Sequence, residues 1–284
     1  MVCSGAVDAI GETSRKVARA LREAGALVVA TGAGMGVDSG LPDFRGDHGF
    51  WKAYPAYERL GLSFVDAANP ERFEEGPAFG WGFYGHRLHL YRDTVPHDGH
   101  RILLDWERRL GLPVFAVTSN VDGQLRKAGF DPDRIHEVHG SIHHLQCTVP
   151  CSEEIWDCDV DVPVDPESMR ARSVPACRNC GRVARPNILM FGDWAWLPGR
   201  SAEQAGRQEA FLREHGPEGI VVLELGAGTA VATIRMMSER LSRGPGSLLV
   251  RVNPREADVR PPHLALPVGA LEGLRAIDRA LQEG

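Results

Sequence analysis

Five short, dominantly apolar runs punctuate the chain: Ala26–Ala30 (ALVVA), Val114–Thr118 (VFAVT), Asn187–Phe191 (NILMF), Ile220–Leu225 (IVVLEL) and Leu248–Val252 (LLVRV). Each is bounded by Gly, Pro or polar residues, and an unbroken run rather than an alternating one marks a strand covered on both faces. Between the runs the apolar positions change to helical spacing, at Val17, Leu21 and Ala24, at Leu103, Trp106 and Leu110, and at Leu271, Leu274 and Leu281. Strands alternating with helices predict an α/β fold, a doubly wound parallel sheet with helices on both sides.

Two stretches break the alternation. Residues 47–100 are rich in aromatic residues, His and Gly, and residues 145–186 hold five of the six cysteines with little periodicity. Both read as insertions that form a smaller module against the sheet. The expected division is a sheet domain of residues 1–46, 101–144 and 187–284, and a small helical and metal-binding domain of residues 47–100 and 145–186. A length of 284 residues is enough for such a core without disulfide support.

Composition narrows the partners. With 43% hydrophobic and 25% charged residues the chain is an ordinary folding sequence. Its net charge of −6 is the wrong sign for general phosphate-backbone binding, so direct nucleic-acid binding is not expected. No apolar run approaches the roughly 18 residues of a membrane span, and the start, MVCSGAVDAIGETSRK, lacks the basic and apolar regions of a secretory signal. A cytoplasmic monomer without membrane contact is expected.

In a reducing compartment, close cysteine pairs are metal ligands or redox centres more often than disulfides. Three residues separate Cys147 from Cys151, two separate Cys177 from Cys180, and 25 lie between the pairs. Two such pairs can surround one tetrahedral Zn²⁺, and four sulfur ligands leave no open position, so the ion would be structural.

Thr31-Gly32-Ala33-Gly34-Met35-Gly36 directly follows the first strand, where a doubly wound fold places its phosphate-binding turn. By itself the turn is weak evidence, and a tight strand-to-helix connection without a ligand is the lesser alternative. Gly40 and Pro42 should break the following helix soon after it starts, leaving a loop over the pocket with Phe44 and Arg45 on it.

GAGMGVDSGLPDFRG (residues 32–46) resembles the signature of the sirtuin family, GAGxSxxSGIPDFRG. Further segments match in the family's order: Thr118-Ser119-Asn120-Val121-Asp122 resembles TQNID, Glu137–Ser141 resembles ExHGS, Arg185–Asp193 resembles RPxxVxFGE, and Val252-Asn253 resembles the late IN dipeptide. The resemblance implies a Rossmann-like domain that binds NAD, a four-cysteine zinc site between the HGS and FGE segments, and NAD-dependent deacylation of lysine in protein substrates.

Residue by residue, it implies that NAD is held by Gly32, Ala33, Gly34, Gly36, Asp43, Phe44, Arg45, Ser119, Asn120, Asp122, Gly226, Ala227, Gly228 and Asn253. Phe44 would lie over the departing nicotinamide, Asp43 and Arg45 in the loop that closes on it, and Asn120 and Asp122 against the nicotinamide and its ribose. His139 would be the general base that activates the ribose hydroxyls once the acyl oxygen has displaced nicotinamide. An imidazole titrating near neutrality suits that task, although His136, His143 and His144 are neighbours. Zinc would be held by Cys147, Cys151, Cys177 and Cys180, and substrate by Tyr84, Arg87, Phe191 and Gly192.

The chain departs from the family pattern at Gly36 for Ser, Ser119 for Gln, Asp193 for Glu, and Gly226-Ala227-Gly228 for GTS. These departures leave open a second reading, an NAD-consuming ADP-ribosyltransferase or NAD hydrolase on the same fold. For the acyl group, Tyr84 and Arg87 form a Tyr-x-x-Arg arrangement like that of the desuccinylase and demalonylase branch. Three residues apart, they share a helix face, where a guanidinium and a phenol can bind a free carboxylate. Acetyl remains the plainer alternative.

Overall fold

The structure, a computed structural model, describes residues 2–43, 50–52 and 54–283. Six parallel strands form the central sheet: β1 (Ala26–Thr31), β2 (Val114–Thr118), β3 (Ile135–Glu137), β9 (Ile220–Leu225), β10 (Leu248–Val252) and β11 (Leu264–Leu266). Every residue of β1, β2 and β9 is buried, as unbroken apolar runs require. Glu224 is tolerated in the middle of β9 because Arg251 of β10 meets its carboxylate at 2.6 and 3.1 Å.

The strand order is β3-β2-β1-β9-β10-β11. The chain builds outward from β1 in one direction, then returns to β9 and builds outward in the other. The order therefore reverses between β1 and β9, and the crevice beyond the carboxyl ends of these two strands is where such sheets take ligands. Helices α1 (Val2–Glu23), α3 (Asp98–Leu110) and α6 (Ala270–Glu283) cover one face, contributing Val17, Leu21, Leu103, Trp106, Leu274 and Ile277 to its core. Helices α4 (Gly199–His215) and α5 (Thr233–Leu241) reach the other, through Phe211 and Ile234. Among the described residues no helix is long and apolar enough to cross a membrane.

A separate core gathers the aromatic residues of the first insertion, the strands of the second, and Ile142, Leu145, Ile188 and Met190. Its sheet is antiparallel: β4 (Gly140–Cys147) lies between β5 (Trp156–Asp157) and β8 (Ala184–Ile188). The hairpin of β6 (Val164–Asp165) and β7 (Arg170–Ala171) packs on helix α2 (Pro77–Asp93). A Cβ on Gly82 of α2 would lie 1.8 Å from the Met169 carbonyl, so this close approach explains a glycine inside a helix that it otherwise weakens.

The run Asn187–Phe191 is not the parallel strand its apolar pattern predicts. Strand β8 ends at Ile188, and Leu189 and Phe191 come out of the core at 39% and 37% exposure. Gly192, at φ +67°, turns the chain, and Asp193 folds back on Arg185, so the apolar side chains are spent at the surface. The three-residue strand β11 carries no run long enough to read from sequence.

Candidate active site

Strands β1 and β9 end in register at Thr31 and Leu225, and the two glycine loops that follow them lock together. Gly32 N–H donates to the Leu225 carbonyl at 3.0 Å and Gly34 N–H to the Gly226 carbonyl at 2.9 Å. A Cβ on Gly34 would lie 2.7 Å from Gly226 Cα, and Gly226 itself sits at φ +63°. Side chains are thus excluded from the seam, leaving a backbone-lined cradle of the kind that accepts a pyrophosphate. Ala33 is exposed on the cradle, Gly34 and Gly228 are half-buried, and Gly36 is buried beneath Leu41.

Asn253, at the end of β10, reaches the cradle through its neighbours rather than at its surface. Fully buried, it donates to the Ala227 carbonyl at 2.9 Å and accepts from the Arg255 and Glu256 N–H groups at 3.1 Å. Ala227 is buried under this brace, which fixes the second glycine loop.

The turn after β2 is tied to the same place. The Thr31 and Thr118 hydroxyls meet at 2.7 Å, and the Thr118 oxygen accepts the Asn120 N–H at 2.9 Å. Asn120 Nδ2 donates to the Gly32 carbonyl at 3.0 Å, and the Ser119 N–H donates to the Thr31 carbonyl at 3.2 Å. Two threonines closing otherwise apolar strands are the sequence signal for this weld, and the pattern alone did not single them out.

Asp122 accepts the Gln124 N–H at 2.9 Å. Burial, and next the Glu137 charge, push its carboxyl up to about 6, against the Gln124 bond and the Arg87 charge, which lower it. His139 follows β3; burial lowers its pKa, and a hydrogen bond to the Ser119 backbone partly restores it. It therefore stands neutral, able to accept a proton, above the ordinary imidazole range.

The neighbouring histidines are committed elsewhere. His136 is held by Gln208 at 2.7 Å and Ser201 at 3.2 Å, His143 Nε2 lies 2.9 Å from the Asp122 carbonyl, and His144 pairs with Asp157 at 3.3 Å. Ser201, Gln204 and Gln208 form a polar stripe on α4 at i, i+3 and i+7, and Gln204 accepts the Glu137 N–H at 3.0 Å. Arg200, beside the stripe, pairs with the Glu137 carboxylate. That helical spacing of amides was the available signal for these supporting residues, which sequence reasoning missed.

The motif segments of residues 32–43, 118–122, 137–141 and 226–228, separated in the chain, are tied to one another by hydrogen bonds at the carboxyl ends of β1, β2, β3 and β9. The family model for Sir2 proteins matches residues 32–209, more than half of the chain. The chain belongs to the Sir2 family. It is 31% identical over 267 residues to an NAD-dependent protein deacylase of Thermus thermophilus, with 93% of each chain covered. It is 38% identical over 169 residues to NAD-dependent protein deacetylase 1 of Geobacillus kaustophilus, covering 58% of this chain and 60% of that one. The crystal structure of a Sir2 homologue in complex with NAD shares the fold at a TM-score of 0.71 and 24% identity, with 94% and 93% of the chains covered.

In this sirtuin the four motif cysteines meet. Their sulfurs all lie within 4.8 Å of one another, Cys147 Sγ 3.7 Å from Cys180 Sγ and Cys151 Sγ 3.6 Å from Cys177 Sγ. Thiolates about 2.3 Å from a central Zn²⁺ span tetrahedron edges of roughly 3.8 Å, so the donor set fits zinc in kind, number and spacing. Cys147 ends β4 and the Cys177–Cys180 turn leads back into β8, whose Ala184 pairs with Cys147, so the ion would staple the small sheet. Cys158 lies outside the cluster, as do His143 and His144.

On the small-domain side, Tyr84 and Arg87 are buried at 1% and 7% exposure. The Arg87 guanidinium lies 5.0 Å from the Phe83 ring centre, 5.2 Å from Tyr91 and 5.9 Å from Tyr84, and donates to the Tyr91 hydroxyl at 2.9 Å. Burial drives the Tyr84 phenol far upward, so it stays a neutral hydroxyl. Phe191 projects beside this wall, edge-on to Phe64 at 5.9 Å, with its N–H on the Ala68 carbonyl at 3.1 Å, and Gly192 is exposed next to it. Asp43 is half-buried; Phe44 and Arg45 lie outside the described residues.

Proposed function

We propose that this sirtuin is an NAD-dependent protein-lysine deacylase that prefers acidic acyl groups such as succinyl and malonyl. The observation that carries the deacylase reading is the bond from Asn120 to the Gly32 carbonyl: it welds the turn bearing Asp122 to the glycine cradle, while Ser119 holds His139 beside both. NAD would lie along Gly32–Gly36 and Gly226–Gly228, with its nicotinamide end toward Asn120 and Asp122, and when bound it supplies the electrophilic ribose carbon and the nicotinamide leaving group. Asn120 and Asp122 orient that end, and the neutral imidazole of His139 accepts a proton from a ribose hydroxyl. The expected products are nicotinamide, the free lysine and O-acyl-ADP-ribose.

Arg87 supports the acyl preference. A guanidinium held among aromatic faces is desolvated, and a carboxylate brought within reach of it forms a far stronger pair than in water. The Tyr84 hydroxyl, kept protonated, is a second donor.

Incubating the protein with NAD and matched acetyl-, succinyl- and malonyl-lysine peptides, with mass-spectrometric detection of free lysine, O-acyl-ADP-ribose and ADP-ribosylated protein, tests the reading. His139→Ala should abolish deacylation with the fold intact. Arg87→Met should lower kcat/KM at least tenfold more for succinyl than for acetyl peptide, in keeping with about 1.5–3 kcal/mol for a charged hydrogen bond. ADP-ribosyl transfer without deacylation would establish the transferase reading instead.

A further inference from the structure

Trp194 is fully exposed, whereas Trp81, Trp106 and Trp156 are buried. The loop that carries it is firmly anchored. Asp193 accepts both terminal nitrogens of Arg185, at 2.6 and 2.9 Å, together with the Ala195 N–H at 3.1 Å and the Met190 N–H at 3.3 Å. The ion pair is buried, at 1% and 0% side-chain exposure. The indole is therefore held out in water from a rigid base.

It borders a cavity of about 230 Å³ whose walls include Glu71, Glu74, Gly192 and Arg185. Glu71 and Glu74 lie on one face of the short helix Glu71–Glu75, are exposed, and make no ion pair among the described residues. The one cation in the wall, Arg185, is neutralised by Asp193. An aromatic ring lining the same cavity as two uncompensated carboxylates is the chemistry that selects an organic cation.

We propose that this crevice is a subsite for a basic side chain, lysine or arginine, of the protein substrate, flanking the acylated lysine. The proposal rests on the deacylase reading, in which the substrate runs along Phe191 and Gly192, and Gly192 also lines the crevice. Trp194 supplies the platform, Glu71 and Glu74 supply the charge, and the Arg185–Asp193 pair fixes the loop that carries the indole. Selection would act on which protein lysines are served, apart from the acyl group they carry.

The test is a peptide panel with one acyl-lysine and Arg, Gln or Leu at each of three positions on either side. Arg should exceed Gln by about three- to tenfold in kcat/KM at one of them, through KM, and the margin should shrink in high salt. In Trp194→Ala, and in the double variant Glu71→Gln with Glu74→Gln, that ratio should fall toward one, with melting temperatures confirming the fold. A wild-type ratio near one at every position, a ratio unmoved in both variants, or a preference for Leu over Arg would overturn the subsite alone. Turnover of no peptide in the panel would overturn the deacylase reading and the subsite with it.

Discussion

Asp122 carries two opposed demands. Its pKa of about 6 in the folded chain lies above the ordinary 3.8, so the folded state binds that proton more tightly than the unfolded state. Stability then falls as the pH rises from about 4 to 6, and above 6 the ionised carboxylate is held at a cost. Asp122→Asn should therefore raise stability at pH 7.5 by on the order of 2 kcal/mol, read as a higher melting temperature, and change it little near pH 3, where Asp122 is protonated in both the folded and the unfolded state. On the proposed reading, in which Asp122 orients the nicotinamide end of NAD, the same variant should also lose most NAD-dependent turnover. Calorimetry at the two pH values checks the first half and peptide assays the second. Equal melting temperatures at pH 7.5 would mean that water reaches Asp122 and relieves its burial. The histidines teach a related lesson: sequence offered four candidates within nine residues, and hydrogen bonds to Gln208 and to the Asp122 carbonyl, with the 3.3 Å approach of His144 to Asp157, account for three of them.

At the scale of elements, the site is made where strands end. The Gly34–Gly226 contact admits no side chain, and the atoms in the way are backbone, which cannot move aside cheaply. Gly34→Ala should cost about 1–3 kcal/mol of stability and weaken NAD binding, read by thermal melts and isothermal titration. If both values stayed at wild type, the two loops would have slack that the 2.7 Å clearance denies. The segment after β8 follows the same logic from the polar side. Asp193→Asn leaves Arg185 buried without its counter-charge, and a loss of about 3–5 kcal/mol is expected in denaturant unfolding. The shorter Asp in place of the family's Glu is the reach this tight turn uses. An apolar run there reads as a strand, and the buried charge pair at its end makes it a loop.

At the scale of the molecule, one parallel sheet is built from both ends of the chain, and the second core is joined to it through β4, which leaves the His139 turn and ends at the cysteine cluster, and β8, which runs back from that cluster. Zinc should accordingly stabilise the small domain directly and the sheet hardly at all. Removing the metal, verified by elemental analysis, should accelerate amide exchange across β4, β5 and β8 and reduce activity, while β1, β2 and β9 stay protected. Full activity in verified metal-free protein would detach the cluster from catalysis.

Much of this was legible in order along the chain. The unbroken runs of β1, β2, β9 and β10 marked a sheet covered on both faces, the glycines after β1 marked its ligand end, and four cysteines at metal spacing marked the second core. These are local signals, because burial on both faces, a turn without side chains and a tetrahedral ion each restrict residues close in sequence. Partners far apart in the chain were not legible. That Asn253 braces Ala227, that Asn120 grips Gly32, that Gln204 and Gln208 support the turn before His139, and that Trp194 lines one cavity with Glu71 depend on which strand ends meet. Sequence by itself determined the four central strands of the sheet, its glycine cradle and the zinc ligands. Only the tertiary structure decided which polar groups face one another, because a hydrogen bond is set by the distance between atoms and not by their separation along the chain.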